Sequence, residues 1–102
     1  DGEQRRDMVH VNDVVSANVF AMEYKEKLGG QHFDVGTGDN ISLNEIKDII
    51  LANHNVEFDY VKPRPGEVAI TKADISGLEQ LGWKHEISIV DGIKRCFNPR
   101  RF

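Results

Sequence analysis

Lys62-Pro63-Arg64-Pro65-Gly66-Glu67 divides this chain, because neither helix nor strand can run through it. Two prolines fix φ and remove two backbone donors. Each also pushes the residue before it, Lys62 or Arg64, towards extended geometry. Gly66 permits a turn that a side chain would disfavour. The product is a stiffened loop that presents one guanidinium and one carboxylate. A guanidinium held this way can grip a phosphate or carboxylate through two parallel hydrogen bonds. A plain surface turn between two elements explains the same residues equally simply.

Working back towards the N-terminus, Val56 to Val61 alternates and carries Phe58 and Tyr60, the pattern of a strand. Before it, Ser42-Leu43-Asn44-Glu45 is a capping box opening a helix, with Leu43, Ile46 and Ile50 at helical spacing and an end near His54-Asn55. Gln31 to Val35 reads as another strand, followed by the turn formers Gly36-Thr37-Gly38-Asp39-Asn40. Met8 to Val11 reads as a short strand as well. Asp13 then caps a helix from about Val14 to Leu28, ended by Gly29-Gly30. Its wide stripe of Val15, Val19, Met22, Ala17, Ala21, Tyr24 and Leu28 predicts one well-buried side.

Beyond the proline loop, Val68 to Thr71 fits a short edge strand. Asp74 or Ser76 caps a small helix with Ile75, Leu78 and Leu81 inward, closed by Gly82. Ser88-Ile89-Val90-Asp91 resembles a second capping box, and a last helix follows through Ile89, Ile93, Cys96 and Phe97. The tail from Asn98 to Phe102 is expected to be loosely held. Short strands alternating with helices predict an α/β fold: a small mixed sheet with about four helices, in one domain spanning residues 1–102.

Bulk properties narrow the function. The chain has 102 residues and a net charge of −4, which argues against nucleic acid as a partner, since such binders usually carry a basic face. A small phosphate ligand needs only two or three local cations, so it stays open. The single cysteine, Cys96, allows no internal disulfide and fits a reducing cytoplasm. On the apolar face of the last helix it reads as a small buried hydrophobe. No apolar run approaches the ~20 residues that span a bilayer, and no signal peptide is visible. The opening Asp1-Gly2-Glu3, without methionine, is expected of a chain that begins inside a longer protein.

Several chemistries find no support. Gly36-Thr37-Gly38 starts like a dinucleotide loop, but Ile41 stands where the third glycine should be, so a turn is expected. A Tyr-x-x-x-Lys pair fails at both tyrosines, because Leu28 follows Tyr24 and Arg64 follows Tyr60. His10, His32, His54 and His85 lack metal-ligand spacing, and no metal site is expected. His10 reads as a hydrogen-bonded structural histidine. What remains is cationic: Arg5-Arg6 ahead of the first strand, and Arg64 on the stiff loop. Each can be solvated surface. Brought together, the two loops would clamp a pyrophosphate, with Glu67 placed to accept from ribose hydroxyls or to pair with a nearby lysine.

Five pieces occur in an order that resembles a known family: Arg6-Asp7-Met8-Val9-His10-Val11-Asn12-Asp13-Val14-Val15, Phe33-Asp34-Val35-Gly36-Thr37-Gly38, Arg64-Pro65-Gly66-Glu67, Ala73-Asp74-Ile75-Ser76, and Leu81-Gly82-Trp83-Lys84. Together they resemble the C-terminal part of extended short-chain dehydrogenase/reductases, the NAD-dependent nucleotide-sugar epimerases and dehydratases typified by UDP-glucose 4-epimerase. Met8 stands where an aromatic residue is usual, Asp34 where asparagine is common, Gly77 where lysine is common and His85 where proline is frequent.

The resemblance implies a substrate-binding region of an NAD(P)-binding Rossmann-type enzyme. NAD and the catalytic pair would lie in a Rossmann domain absent here, leaving this chain with no catalytic residue and no cofactor of its own. It further implies that Arg6 and Arg64 contact the diphosphate of a UDP-, GDP- or dTDP-linked sugar and Glu67 the ribose, while Asp13 and Asp74 serve as helix caps. The alternative is a non-enzymatic interaction or oligomerisation domain derived from such a region. Without its Rossmann partner, either version would expose an apolar interdomain face that favours self-association.

Overall fold

The structure is a computed structural model and describes residues 1–97; the predicted loose tail lies outside the described residues. Among the described residues there are four helices and one two-stranded sheet. In chain order these are β1 (Arg5–Arg6), α1 (Val11–Glu23), β2 (Ile41–Ser42), α2 (Leu43–Leu51), α3 (Ser76–Leu81) and α4 (Ile89–Cys96). β1 and β2 are antiparallel, with Arg5 opposite Ser42 and Arg6 opposite Ile41. On its other edge Arg5 bridges Ile70 in parallel: its amide donates to the Ala69 carbonyl (2.8 Å) and its carbonyl accepts from the Thr71 amide (2.9 Å). The small mixed sheet is therefore centred on Arg5.

That sheet is not the one expected. Of four predicted strands, only Val68–Thr71 acquires a partner, through the bridge at Ile70. Met8–Val11 forms no strand because His10 and Val11 begin a helix. Gln31–Val35 keeps a strand's alternation, with Phe33 and Val35 half-buried and His32 and Asp34 exposed, but no described strand lies beside it. Val56–Val61 is exposed throughout and forms no ladder. Alternation records which side chains pack; hydrogen-bonded neighbours make a strand.

Helix boundaries shift for similar reasons. The cap of α1 is His10, whose Nδ1 accepts from the Asn12 amide at 3.0 Å; Asp13 lies inside the helix with other work. The helix stops at Glu23 rather than Leu28. Lys25, Glu26 and Lys27 follow, all exposed, so a further turn would bury nothing. Tyr24 turns extended, its ring centroid 5.7 Å from that of Phe20. α2 opens as predicted: the Ser42 hydroxyl accepts from the Glu45 amide (3.1 Å), and Glu45 Oε1 accepts from the Ser42 amide (3.3 Å). It closes at Leu51. Gly82 ends α3 at φ 109°, with the Gly82 and Trp83 amides both donating to the Leu78 carbonyl. In α4, Ser88 Oγ accepts from the Asp91 amide.

The core is small. Ala17, Leu78 and Trp83 are buried, with Phe20, Phe33, Val35 and Leu81 packed against them. Trp83 Nε1 donates to Ser16 Oγ at 3.0 Å, which joins α3's exit to α1. α2 packs against α4. The molecule measures 49 × 37 × 15 Å, with a radius of gyration of 16.1 Å; about 13 Å is usual for a compact domain of ~100 residues. A slab this thin holds little more than one layer of helices. Consequently α1 buries only Asp13 and Ala17, and the expected deep face of Val15, Val19 and Met22 is open, Met22 being 84% exposed. Cys96, expected to be buried, is exposed.

Candidate functional site

Two carboxylates tie this slab together. Asp7 follows β1 and faces the Gly36–Gly38 loop. Its Oδ1 accepts from the Thr37 hydroxyl (2.7 Å) and amide (3.1 Å), and its Oδ2 from the amides of Gly38 (3.0 Å) and Ala73 (3.1 Å). Burial pushes its pKa up, but the Thr37 hydroxyl and the Ala73, Thr37 and Gly38 amides outweigh burial and hold it below the usual value. Gly36 and Gly38 are needed for this approach. A Cβ on Gly36 would come within 2.5 Å of the Ala73 Cβ and 3.0 Å of Asp7 Oδ2, and Gly38 has φ +75°. Asp13, buried in α1, accepts from the amides of Glu86 and Ile87, each at 3.0 Å. The expectation of a helix cap was therefore wrong in detail: Asp13 anchors the segment leading into α4.

The Gly36–Gly38 loop is a turn, as its sequence implied. The Thr37 and Gly38 amides, which a dinucleotide phosphate would need, donate to Asp7. The loop does not fit NAD.

Arg5 is committed to the fold. Its Nε donates to Asn40 Oδ1 (2.9 Å), its Nη2 to the Asn40 carbonyl (3.2 Å), and its Nη1 pairs with Glu45 Oε1 at 2.8 Å. The pKa of Glu45 is lowered, by the Ser42 amide first, then the Ser42 hydroxyl and Arg5. Asp74, the other expected cap, lies one residue before the cap position of α3, which is Ile75 and makes no side-chain cap bond. Asp74 accepts from the Ser76 hydroxyl (2.7 Å) and amide (3.1 Å), and those bonds lower its pKa in the same order.

The proline loop forms one wall of a cleft of about 270 Å³ whose other wall is the start of α2. Arg64 and Glu67 both line it, together with Gln4, Leu43, Lys47 and Tyr60. Arg64 and Glu67 also close a reciprocal turn: the Glu67 amide donates to the Arg64 carbonyl (3.2 Å), and the Arg64 amide to Glu67 Oε2 (3.4 Å). Arg6 is not among the lining residues. It sits half-buried in β1, its Nη1 donating to the Arg5 carbonyl at 2.9 Å. Strand alternation sets it on the face opposite Arg5, the side shared with Gln4, which does line the cleft.

Sequence reasoning missed Asp7 and Tyr60. For Asp7 a signal existed: a Gly-Thr-Gly turn leaves amides that need an acceptor. Tyr60 had none, because its partners lie on another element. Among the described residues, no group of His, Cys, Asp and Glu could hold a metal ion, and no helix is long and apolar enough to cross a membrane.

Residues 1–36 match the family described as "NAD dependent epimerase/dehydratase family". A protein of Methanocaldococcus jannaschii named "Putative UDP-glucose 4-epimerase" is 44% identical over 96% of this chain and 32% of its own length. The structure of UDP-glucose 4-epimerase from Thermotoga maritima with UDP-glucose superposes with a TM-score of 0.80 at 32% identity, over 98% of this chain and 33% of the other. UDP-glucuronic acid 4-epimerase from Bacillus cereus, in complex with UDP-glucuronic acid and NAD, gives 0.82 at 28% identity, over 92% and 31%. The chain thus spans about a third of the length of the relatives it matches. Sequence and fold agree in relating it to the NAD-dependent epimerase/dehydratase family.

Proposed function

We propose that residues 1–102 form the C-terminal, nucleotide-sugar-binding domain of an NAD-dependent epimerase or dehydratase, acting in the cytoplasm. NAD and the catalytic groups belong to a Rossmann domain outside this chain. Arg64 and Glu67 hold the diphosphate and ribose of a UDP-, GDP- or dTDP-linked sugar, and Arg6 reaches the diphosphate from β1. The observation that carries this is the placing of Arg64 and Glu67 in one cleft, on a loop whose prolines limit its freedom before any ligand arrives. The names of relatives solved with UDP-glucose and with UDP-glucuronic acid and NAD support the same class. Contacts to a remote diphosphate orient the sugar and supply binding energy that is used at the reacting carbon. The chain's own residues bind and orient. None of them is assigned a proton or hydride transfer.

Calorimetric titration with UDP-glucose, GDP-mannose and dTDP-glucose tests the proposal. We expect weak binding of at least one, lost in Arg64→Ala and reduced in Arg6→Ala and Glu67→Ala. Absence of heat with all three, or binding indifferent to Arg64, would overturn it.

A second reading draws on one specific observation. Val11, Val15, Val19 and Met22 form an exposed stripe along α1, which suits an interaction domain as well as an interdomain face. Self-association that persists while all three nucleotide sugars fail to bind would favour it.

A further inference from the structure

We propose that Tyr60 is a positioning residue, tethering the proline loop to α2 so that Arg64 is held over the cleft; this rests on the nucleotide-binding reading above. Every residue from 51 to 70 is exposed, so packing does little to place this segment. Among the described residues, the hydrogen bonds that leave residues 55–68 all run through the Tyr60 hydroxyl. That hydroxyl donates to Asn44 Oδ1 at 2.7 Å and accepts from Lys47 Nζ at 3.2 Å. The Lys47 ammonium also lies 5.0 Å from the Tyr60 ring centroid, within cation–π range. Asn44 and Lys47 are three residues apart on α2 and so share a face.

The anchor is itself fixed. The Asn44 amide donates to the Gly2 carbonyl (2.9 Å), and its Nδ2 to the Asp1 carbonyl (3.2 Å) and to Glu3 Oε1. Gly2 leaves room for it, since a Cβ there would fall 2.2 Å from Asn44 Oδ1. Between Tyr60 and Arg64 only three residues intervene, one of them Pro63. A tether at Tyr60 therefore constrains where the guanidinium can go, and ordering it beforehand lessens what binding must supply.

Two measurements on the full chain test this separately from the nucleotide reading. The first needs no ligand: backbone order parameters from ¹⁵N relaxation in wild type, Tyr60→Phe and Lys47→Met. We expect values across Asp59–Glu67 to fall towards about 0.6 in Tyr60→Phe, less so in Lys47→Met, with α1 and Trp83 unchanged. The second is UDP affinity, expected to weaken several-fold in Tyr60→Phe while the melting temperature holds. Unchanged order parameters would overturn the tether whatever UDP does. Lost order without lost affinity would show that the tether does not position Arg64. If wild type fails to bind UDP, the nucleotide reading falls and with it the purpose assigned to Tyr60, while the relaxation data still decide whether the tether exists.

Discussion

Gly38 and Gly66 have nearly the same φ, +75° and +78°, in opposite surroundings. A Cβ on Gly38 would strike Ile75 Cδ1 at 2.6 Å; one on Gly66 meets nothing within 4 Å. The first glycine belongs to a loop locked by Asp7, whose carboxylate takes up its amides. The second belongs to a loop stiffened by its own prolines and joined to the body through Tyr60. Order imposed by tertiary contacts consumes polar groups. In the proline loop the backbone of Arg64 and the Glu67 carboxylate close the turn while the Arg64 side chain lines the cleft, and on the proposed reading that difference suits the proline loop, not the glycine loop, to a ligand.

The largest contrast should come from the two carboxylates. Asp7→Ala removes the acceptor for four donors and leaves loop amides unsatisfied, at a cost of roughly 3–5 kcal/mol by urea denaturation. Glu67→Ala, on the exposed loop, should cost no more than about 0.5 kcal/mol. Equal losses would break the distinction between the loops.

The glycines come next. Gly38→Ala combines backbone strain with a clash and should destabilise by about 2–4 kcal/mol, whereas Gly66→Ala carries only the left-handed penalty, about 1 kcal/mol. Thermal melts followed by Trp83 fluorescence would report both.

Acid should loosen the loop that Asp7 locks. The folded-state pKa of Asp7 lies below the ordinary aspartate value, so its ionised form stabilises the native state relative to the unfolded one. That stabilisation is fully present above the unfolded pKa and is lost as pH falls through the folded value. Asp7→Asn should therefore flatten the acid limb of stability below about pH 4, read from urea denaturation across that range. Ser42→Ala should cost about 1 kcal/mol as a lost helix cap, without altering nucleotide binding.

What was legible in the sequence was local. The Ser42–Glu45 box and the Gly82 stop each depend on neighbours within a few residues, and both appear as read. Strands were misread because alternation at Phe33 and Val35 reports packing, whereas a ladder needs a second chain segment alongside. The depth of α1 was misread because an apolar stripe predicts burial only where another layer exists, and the described residues form a slab 15 Å thick. At the candidate site, Arg64 and Glu67 could be singled out because Pro63, Pro65 and Gly66 mark their loop. Asp7, Asp13 and Tyr60 act across 13 or more positions in the chain, and no local pattern encodes such partners.

The most direct test of the nucleotide-binding account is amide chemical-shift mapping of the ¹⁵N-labelled chain as UDP-glucose is added. The account predicts that perturbations appear together at Gln4–Arg6 and at Lys62–Glu67, saturate with one affinity, and spare the exposed stripe of α1. Perturbations confined to that stripe, or absent from Arg64 and its neighbours at saturation, would contradict it.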